Sequence, residues 1–164
     1  MPRVFVGIGS NIDREASIRI GVGVLRDLFG ELLVSGVYES PAYGFDGDNF
    51  YNLVVAFETD LSPEALTREL HRIEDHLGRD RKTPRFSSRI LDLDLLLYGD
   101  MIRHEEGLDI PREDILKYAF VLRPLAEIAG GMKHPESGET FESLWQAFER
   151  TDQELWPVQL TFDD

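Results

Sequence analysis

Two carboxylates set inside an apolar run carry the first chemical signal of this chain. Residues 90–98 read I-L-D-L-D-L-L-L-Y, which suits a strand covered on both faces, yet Asp92 and Asp94 interrupt it. Side chains repeat every two residues along a strand, so both acids face one way with Cβ atoms roughly 6.5 Å apart. Two such acids without a positive partner repel and are costly to desolvate. The pair therefore calls for a cation. Mg²⁺ suits it, because that ion takes one or two carboxylates and completes its octahedron with waters and phosphate oxygens.

Just upstream, Arg79, Arg81, Lys82, Arg85 and Arg89 place five of the 17 basic residues within eleven positions of a chain whose formal net charge is -14. Guanidinium forks bind phosphate oxygens bidentately. An Asp-x-Asp by itself also suits a strand end that faces solvent beside a solvated basic loop. The cationic cluster in so acidic a chain favours the metal-and-phosphate reading.

The surrounding elements must hold these groups. Residues 3–8 read as a strand ending in a tight turn at Gly7, Gly9, Ser10 and Asn11. The G-x-G lacks the third glycine of a dinucleotide fingerprint, and no Walker lysine follows. Asp13 is the expected N-cap of a helix that stops at Gly30. Residues 32–39 read as a second strand. A Pro/Gly/Asp-rich loop over 40–52 carries Tyr43, Phe45 and Phe50, which either fold back as lids on the core or offer a stacking surface to a flat ring. A third strand over 53–59 follows. Ser62-Pro63-Glu64 then opens a helix that ends at Gly78. The order β-α-β-β-α-β predicts an α+β, ferredoxin-like sandwich. After Gly99 a polar linker leads to two helical pieces over 112–129, divided around Pro124, and a short helix over 141–148, giving a C-terminal helical extension.

Length and composition bound the rest. The 164 residues suit a single domain with its core over 3–99 and its extension over 100–164. No cysteine is present, which fits a reducing cytoplasm. No apolar run approaches the length of a membrane span. The negative charge argues against nucleic acid as a partner. His71, His76, His104 and His134 show no metal-ligand spacing, and no Ser/His/Asp system is evident.

Gly9-Ser10-Asn11, Y-E-S-P-A-Y-G from Tyr38, F-Y-N from Phe50, R-I-E from Arg72, G-R-x-R from Gly78 and R-I-L-D-L-D-L-L-L-Y-G from Arg89 stand in one order. Over about residues 3 to 130 the chain resembles the 6-hydroxymethyl-7,8-dihydropterin pyrophosphokinases of folate biosynthesis. The resemblance implies an Mg²⁺-dependent enzyme, and a cytoplasmic monomer is expected. It would move the terminal pyrophosphate of ATP to the pterin hydroxymethyl group and release AMP. Asp92 and Asp94 match the metal ligands for two Mg²⁺ ions, and Arg79, Arg81 and Arg89 match catalytic loop positions. His71, Glu74, Lys82 and Arg112 fall on the ATP side. Ser40, Pro41, Ala42, Tyr43, Phe50, Asn52 and Phe120 fall on the pterin side.

The chain departs from the family pattern at R-F-S-S-R over 85–89, at P-R-E over 111–113 and at Tyr118, all toward the nucleotide. Two other readings stay open on residues alone. One is a non-catalytic paralogue that binds pterin or nucleotide. The other is a two-metal phosphotransferase or phosphodiesterase with another substrate.

Overall fold

A computed structural model of the chain describes residues 1–77, 90–149 and 152–162. The elements run β1 (Arg3–Ser10), α1 (Arg14–Phe29), β2 (Leu33–Val34), β3 (Val37–Ser40), β4 (Phe50–Glu58), α2 (Pro63–His76) and β5 (Asp92–Tyr98). They continue with β6 (Arg103–Glu105), β7 (Leu108–Ile110), α3 (Asp114–Lys117), α4 (Ala119–Ala129), α5 (Phe141–Ala147) and β8 (Trp156–Val158). The result is a mixed α and β architecture built on an antiparallel sheet ordered β5-β1-β4-β3-β8, with β2 also paired to β4.

Strand alternation splits the buried side chains between two faces. Val4, Val6 and Ile8 of β1, Leu53, Val55 and Phe57 of β4, and Leu93 and Leu95 of β5 meet Ile18, Val22 and Leu25 of α1 and Leu66, Leu70 and Ile73 of α2. On the opposite face Phe5, Val54, Ala56 and Leu96 meet Ile115, Leu122, Leu125, Phe141 and Trp145 from α3, α4 and α5. The register between β1 and β5 shifts at Phe5/Val6, so Leu96 and Leu97 both join the second core. This is the behaviour of a bulge, which turns two successive residues to one side.

Several expectations change in detail. Gly7 and Gly9 lie inside β1, not in a turn, because the strand keeps pairing with β4 as far as Ser10↔Tyr51. The second strand is two short pieces, broken where Ser35 turns its hydroxyl to the Val54 N–H at 2.9 Å and takes the place of a ladder partner. The third strand begins at Phe50, which puts that ring on the sheet instead of the loop. Asp13 holds the N-cap position of α1 but does not cap with its side chain; its φ of 45° is a left-handed conformation that aspartate tolerates. Ser62 does cap α2, accepting the Ala65 N–H at 3.1 Å.

In the C-terminal third the helical break falls at Tyr118, and Pro124 sits inside α4. Burial of that helix against β4 and β3 overrides the proline's missing donor. The stretch read as a polar linker holds a hairpin, β6-β7, whose turn contains Gly107 at φ 83°. Tyr38 and α4 are tied together by Glu127, which accepts the Tyr38 hydroxyl at 2.6 Å and the Gly36 N–H at 2.9 Å. Burial first, and the Glu127 carboxylate second, push the Tyr38 hydroxyl pKa up.

Candidate active site

The second face of the sheet is not fully filled by helices, and the gap is a cavity of about 440 Å³. Gly7 and Gly9 supply part of its wall. A Cβ on Gly9 would stand 3.8 Å from Asn52 Oδ1 and 3.8 Å from Phe50 Cδ2, so the missing side chain is what leaves the space. Asp92 and Asp94 reach the same cavity from the neighbouring strand, alternating with buried Leu93 as the period of two requires.

On the other side of β1 the cavity is polar at one point and aromatic around it. Asn52 is buried, and its amide nitrogen donates to the Tyr38 carbonyl at 3.1 Å and to Ser40 Oγ at 2.9 Å. With both amide hydrogens engaged, the acceptor Oδ1 is turned toward the cavity side of Gly9. Phe50 is braced edge-on by Phe45, ring centroids 6.1 Å apart. Phe120 stacks on Tyr118 at 5.1 Å, and Tyr118 meets Tyr43 edge-on at 5.0 Å. A planar ligand can therefore find aromatic faces and a fixed amide acceptor within one cavity.

The charged side is organised by Arg112, in the turn between β7 and α3. Its backbone N–H donates to the Leu96 carbonyl at 3.0 Å, which places the side chain beside Asp94. Its Nη2 lies 3.5 Å from Asp94 Oδ1, and its Nε donates to Asp114 Oδ2 at 3.2 Å. Burial works against the guanidinium charge, but the pull of Asp94, Asp114 and, to a lesser degree, Asp92 outweighs it, so the group is held charged more firmly than an ordinary arginine.

Of the residues singled out in the sequence, Ser40, Pro41, Tyr43, Phe50, Asn52, His71, Asp92, Asp94, Arg112 and Phe120 all line this cavity. Ala42 and Glu74 do not. Glu74 is 1% exposed and its Oε2 accepts the Leu93 N–H at 2.6 Å, an internal tie between α2 and β5. Arg79, Arg81, Lys82 and Arg89 lie outside the described residues. Phe45, read from the sequence as a lid or stacking aromatic, lines the cavity too, together with Gly7, Gly9 and Asp109, which were not chosen as site residues. The i, i+2 spacing of the two glycines, read as a turn, was the signal that could have marked a bare strip on one strand face; Asp109 belongs to a hairpin taken for linker.

Among the described residues no group of three or more acids or histidines is arranged to enclose a metal. Two carboxylates on one strand face nevertheless form the open donor set that Mg²⁺ uses when phosphates and waters complete its shell.

The family model for 7,8-dihydro-6-hydroxymethylpterin-pyrophosphokinase (HPPK) matches residues 5–130. A 2-amino-4-hydroxy-6-hydroxymethyldihydropteridine pyrophosphokinase of Haemophilus influenzae is 38% identical over 141 residues, covering 84% of this chain and 88% of that protein. Its counterpart in Aquifex aeolicus is 34% identical over 137 residues, covering 82% and 85%. The folic acid synthesis protein fol1 of Pneumocystis carinii is 35% identical over 158 residues, and this chain spans only 21% of its length. In structure the chain is similar to a Plasmodium falciparum HPPK-DHPS triple mutant with SDX-DHP, at a TM-score of 0.71 and 14% identity, over 88% of this chain and 41% of that one. That likeness concerns the fold. The two bacterial relatives are matched over most of their length, and with the family model they establish that this chain belongs to the 7,8-dihydro-6-hydroxymethylpterin-pyrophosphokinase family.

Proposed function

We propose that this chain transfers the pyrophosphate of ATP to 6-hydroxymethyl-7,8-dihydropterin, releasing AMP and the pterin pyrophosphate in folate biosynthesis. One observation carries the reading. A single cavity joins the aromatic, amide-lined end (Phe50, Phe120, Asn52) to the acidic pair Asp92 and Asp94 in a member of this family.

The pterin ring lies between Phe50 and Phe120, with its polar edge read by Asn52 Oδ1 and the Ser40, Pro41, Ala42 and Tyr43 segment. This orients the hydroxymethyl group toward β5. Its oxygen attacks the β-phosphorus of ATP, the bond from that phosphorus to the α–β bridging oxygen breaks, AMP departs with the bridging oxygen, and the hydroxyl proton is released. Asp92 and Asp94 would hold the two Mg²⁺ ions, which when bound neutralise phosphate charge and make the hydroxyl oxygen a better nucleophile. Arg79, Arg81, Lys82, Arg89 and Arg112 gather the triphosphate oxygens, and His71 approaches the nucleotide from α2. Alignment and charge neutralisation are what such a transfer chiefly requires.

The strand order β5-β1-β4-β3 around two helices on one face supports a ferredoxin-like α+β sandwich for residues 3–99 within one domain. The remainder is a C-terminal helical extension whose last strand, β8, returns to the sheet edge beside β3. No helix among the described residues is long and apolar enough to cross a membrane. A cytoplasmic monomer acting on small molecules is the setting proposed.

A second reading, a pterin- or nucleotide-binding paralogue without turnover, draws on the ion pair between Arg112 and Asp94, which occupies one proposed metal ligand. Incubation with Mg²⁺, ATP and the hydroxymethyl dihydropterin decides between them. Pterin-dependent AMP is expected. Tight binding without AMP would favour the paralogue, and AMP or phosphate formed without pterin would favour another phosphotransferase or phosphodiesterase.

A further inference from the structure

The proposed metal ligands already have a cation beside them. Arg112 reaches Asp94 at 3.5 Å while its Nε stays on Asp114, and its backbone is pinned to Leu96. Asp114 is buried and holds the Nε end, while the Nη2 end faces Asp94, which lines the cavity. A small cleft of about 60 Å³, bordered by His71, Asp94, Asp109 and Arg112, adjoins the main cavity and gives the fork room to turn.

We infer that Arg112 is a resident counter-cation of the Asp92/Asp94 pair, so that a divalent ion arriving alone must displace it, whereas one arriving with a triphosphate finds the displaced guanidinium a new partner. The nucleotide half of this rests on the pyrophosphokinase reading; the metal half does not. With Arg112 in place, a bare dication at Asp94 would sit next to a like charge. A triphosphate changes the balance, because its oxygens accept the freed fork bidentately. Metal and nucleotide then assist each other, and the assistance is reciprocal as linkage demands. Arg112 thereby favours entry of metal and nucleotide together over occupation by metal alone.

The test uses Mn²⁺ alone, with free ion counted by electron paramagnetic resonance and no nucleotide or pterin present. Arg112→Gln is expected to bind Mn²⁺ about fivefold more tightly than the parent, a size set by a partly exposed, partly screened ion pair. Arg112→Lys keeps the charge and should stay close to the parent, and Asp94→Asn should lose the site. Arg112→Met serves as a second neutral variant should Arg112→Gln fold poorly. In parallel, α,β-methylene ATP with saturating Mg²⁺ should bind the neutral variants more weakly than the parent.

Neutral variants that bind Mn²⁺ no tighter than the parent would overturn the inference. So would Asp94→Asn binding as tightly as they do, or Arg112→Lys tightening as much as Arg112→Gln. Tightening in a chain that forms no AMP would support the counter-cation while removing the pyrophosphokinase reading.

Discussion

At the scale of single residues, two carboxylates in this chain lie on or beside the same strand and have different duties. Asp94 faces the cavity, and its proposed role is to hold metal where negative charge is transferred. Asp94→Ala should lower the rate of AMP formation by at least ~10³ with the fold unchanged by circular dichroism, on the scale of losing a principal electrostatic stabiliser. Wild-type turnover in that variant would remove the assignment. Glu74 is buried away from the cavity and bonds the Leu93 N–H. Its loss leaves a buried donor unmatched, so Glu74→Ala should cost about 1–3 kcal/mol in urea unfolding with little change in the KM for ATP. The sequence placed both acids near the nucleotide, because motif position alone cannot tell a side chain aimed into a cavity from one aimed into the core. Asn52 is the opposite case. Its place in the site was legible, but the reason its Oδ1 faces the cavity, two donors held by Tyr38 and Ser40, became visible only in the fold.

At the scale of elements, the apolar stripes of α1 and α2 and the apolar run of β5 were readable from period and caps, since each buries one face against the sheet. What escaped notice was short or governed by tertiary pairing. The hairpin β6-β7 has three residues per strand, too few for alternation to stand out, and β8 exists through its pairing with β3. The glycines of β1 were mistaken for a turn because the residues that extend the strand past them lie on β4. Their removal of side-chain volume has a measurable consequence. A Cβ on Gly9 meets nothing closer than 3.8 Å, so the backbone accepts a side chain there and the added atoms enter the cavity. Gly9→Val should raise the KM for the pterin by about 10-fold or more, the order seen when a methylene too many enters a fitted pocket, while thermal unfolding moves little. An unchanged KM would place the pterin elsewhere.

At the scale of the whole molecule, the hairpin that supplies Asp109 to the cavity is fastened to the segment between α4 and α5 by a histidine clasp. His104 Nδ1 meets Asp109 Oδ1 at 2.5 Å, and its Nε2 meets Glu136 Oε1 at 2.9 Å. The hydrogen bonds that its ring donates to Asp109 first, and to Glu136 second, raise the His104 pKa. Two residues before Glu136, His134 is buried and its Nδ1 accepts the N–H groups of Glu136 and Ser137, a role open only to an unprotonated ring nitrogen; burial lowers its pKa. The two rings therefore pull in opposite directions with pH. The clasp of His104 contributes fully below its unfolded value of about 6.5 and is lost as pH rises through its raised folded value. The contribution of His134 is present above the unfolded value and is lost as pH falls through its lowered folded value. Urea midpoints at pH 5, 7 and 9 should separate them. The parent's advantage over His104→Gln is expected to shrink from pH 7 to pH 9, and its advantage over His134→Gln to shrink from pH 7 to pH 5. Parallel curves for all three proteins would mean that neither ring changes protonation on unfolding, and that the hairpin is held to the segment between α4 and α5 by packing instead of charge.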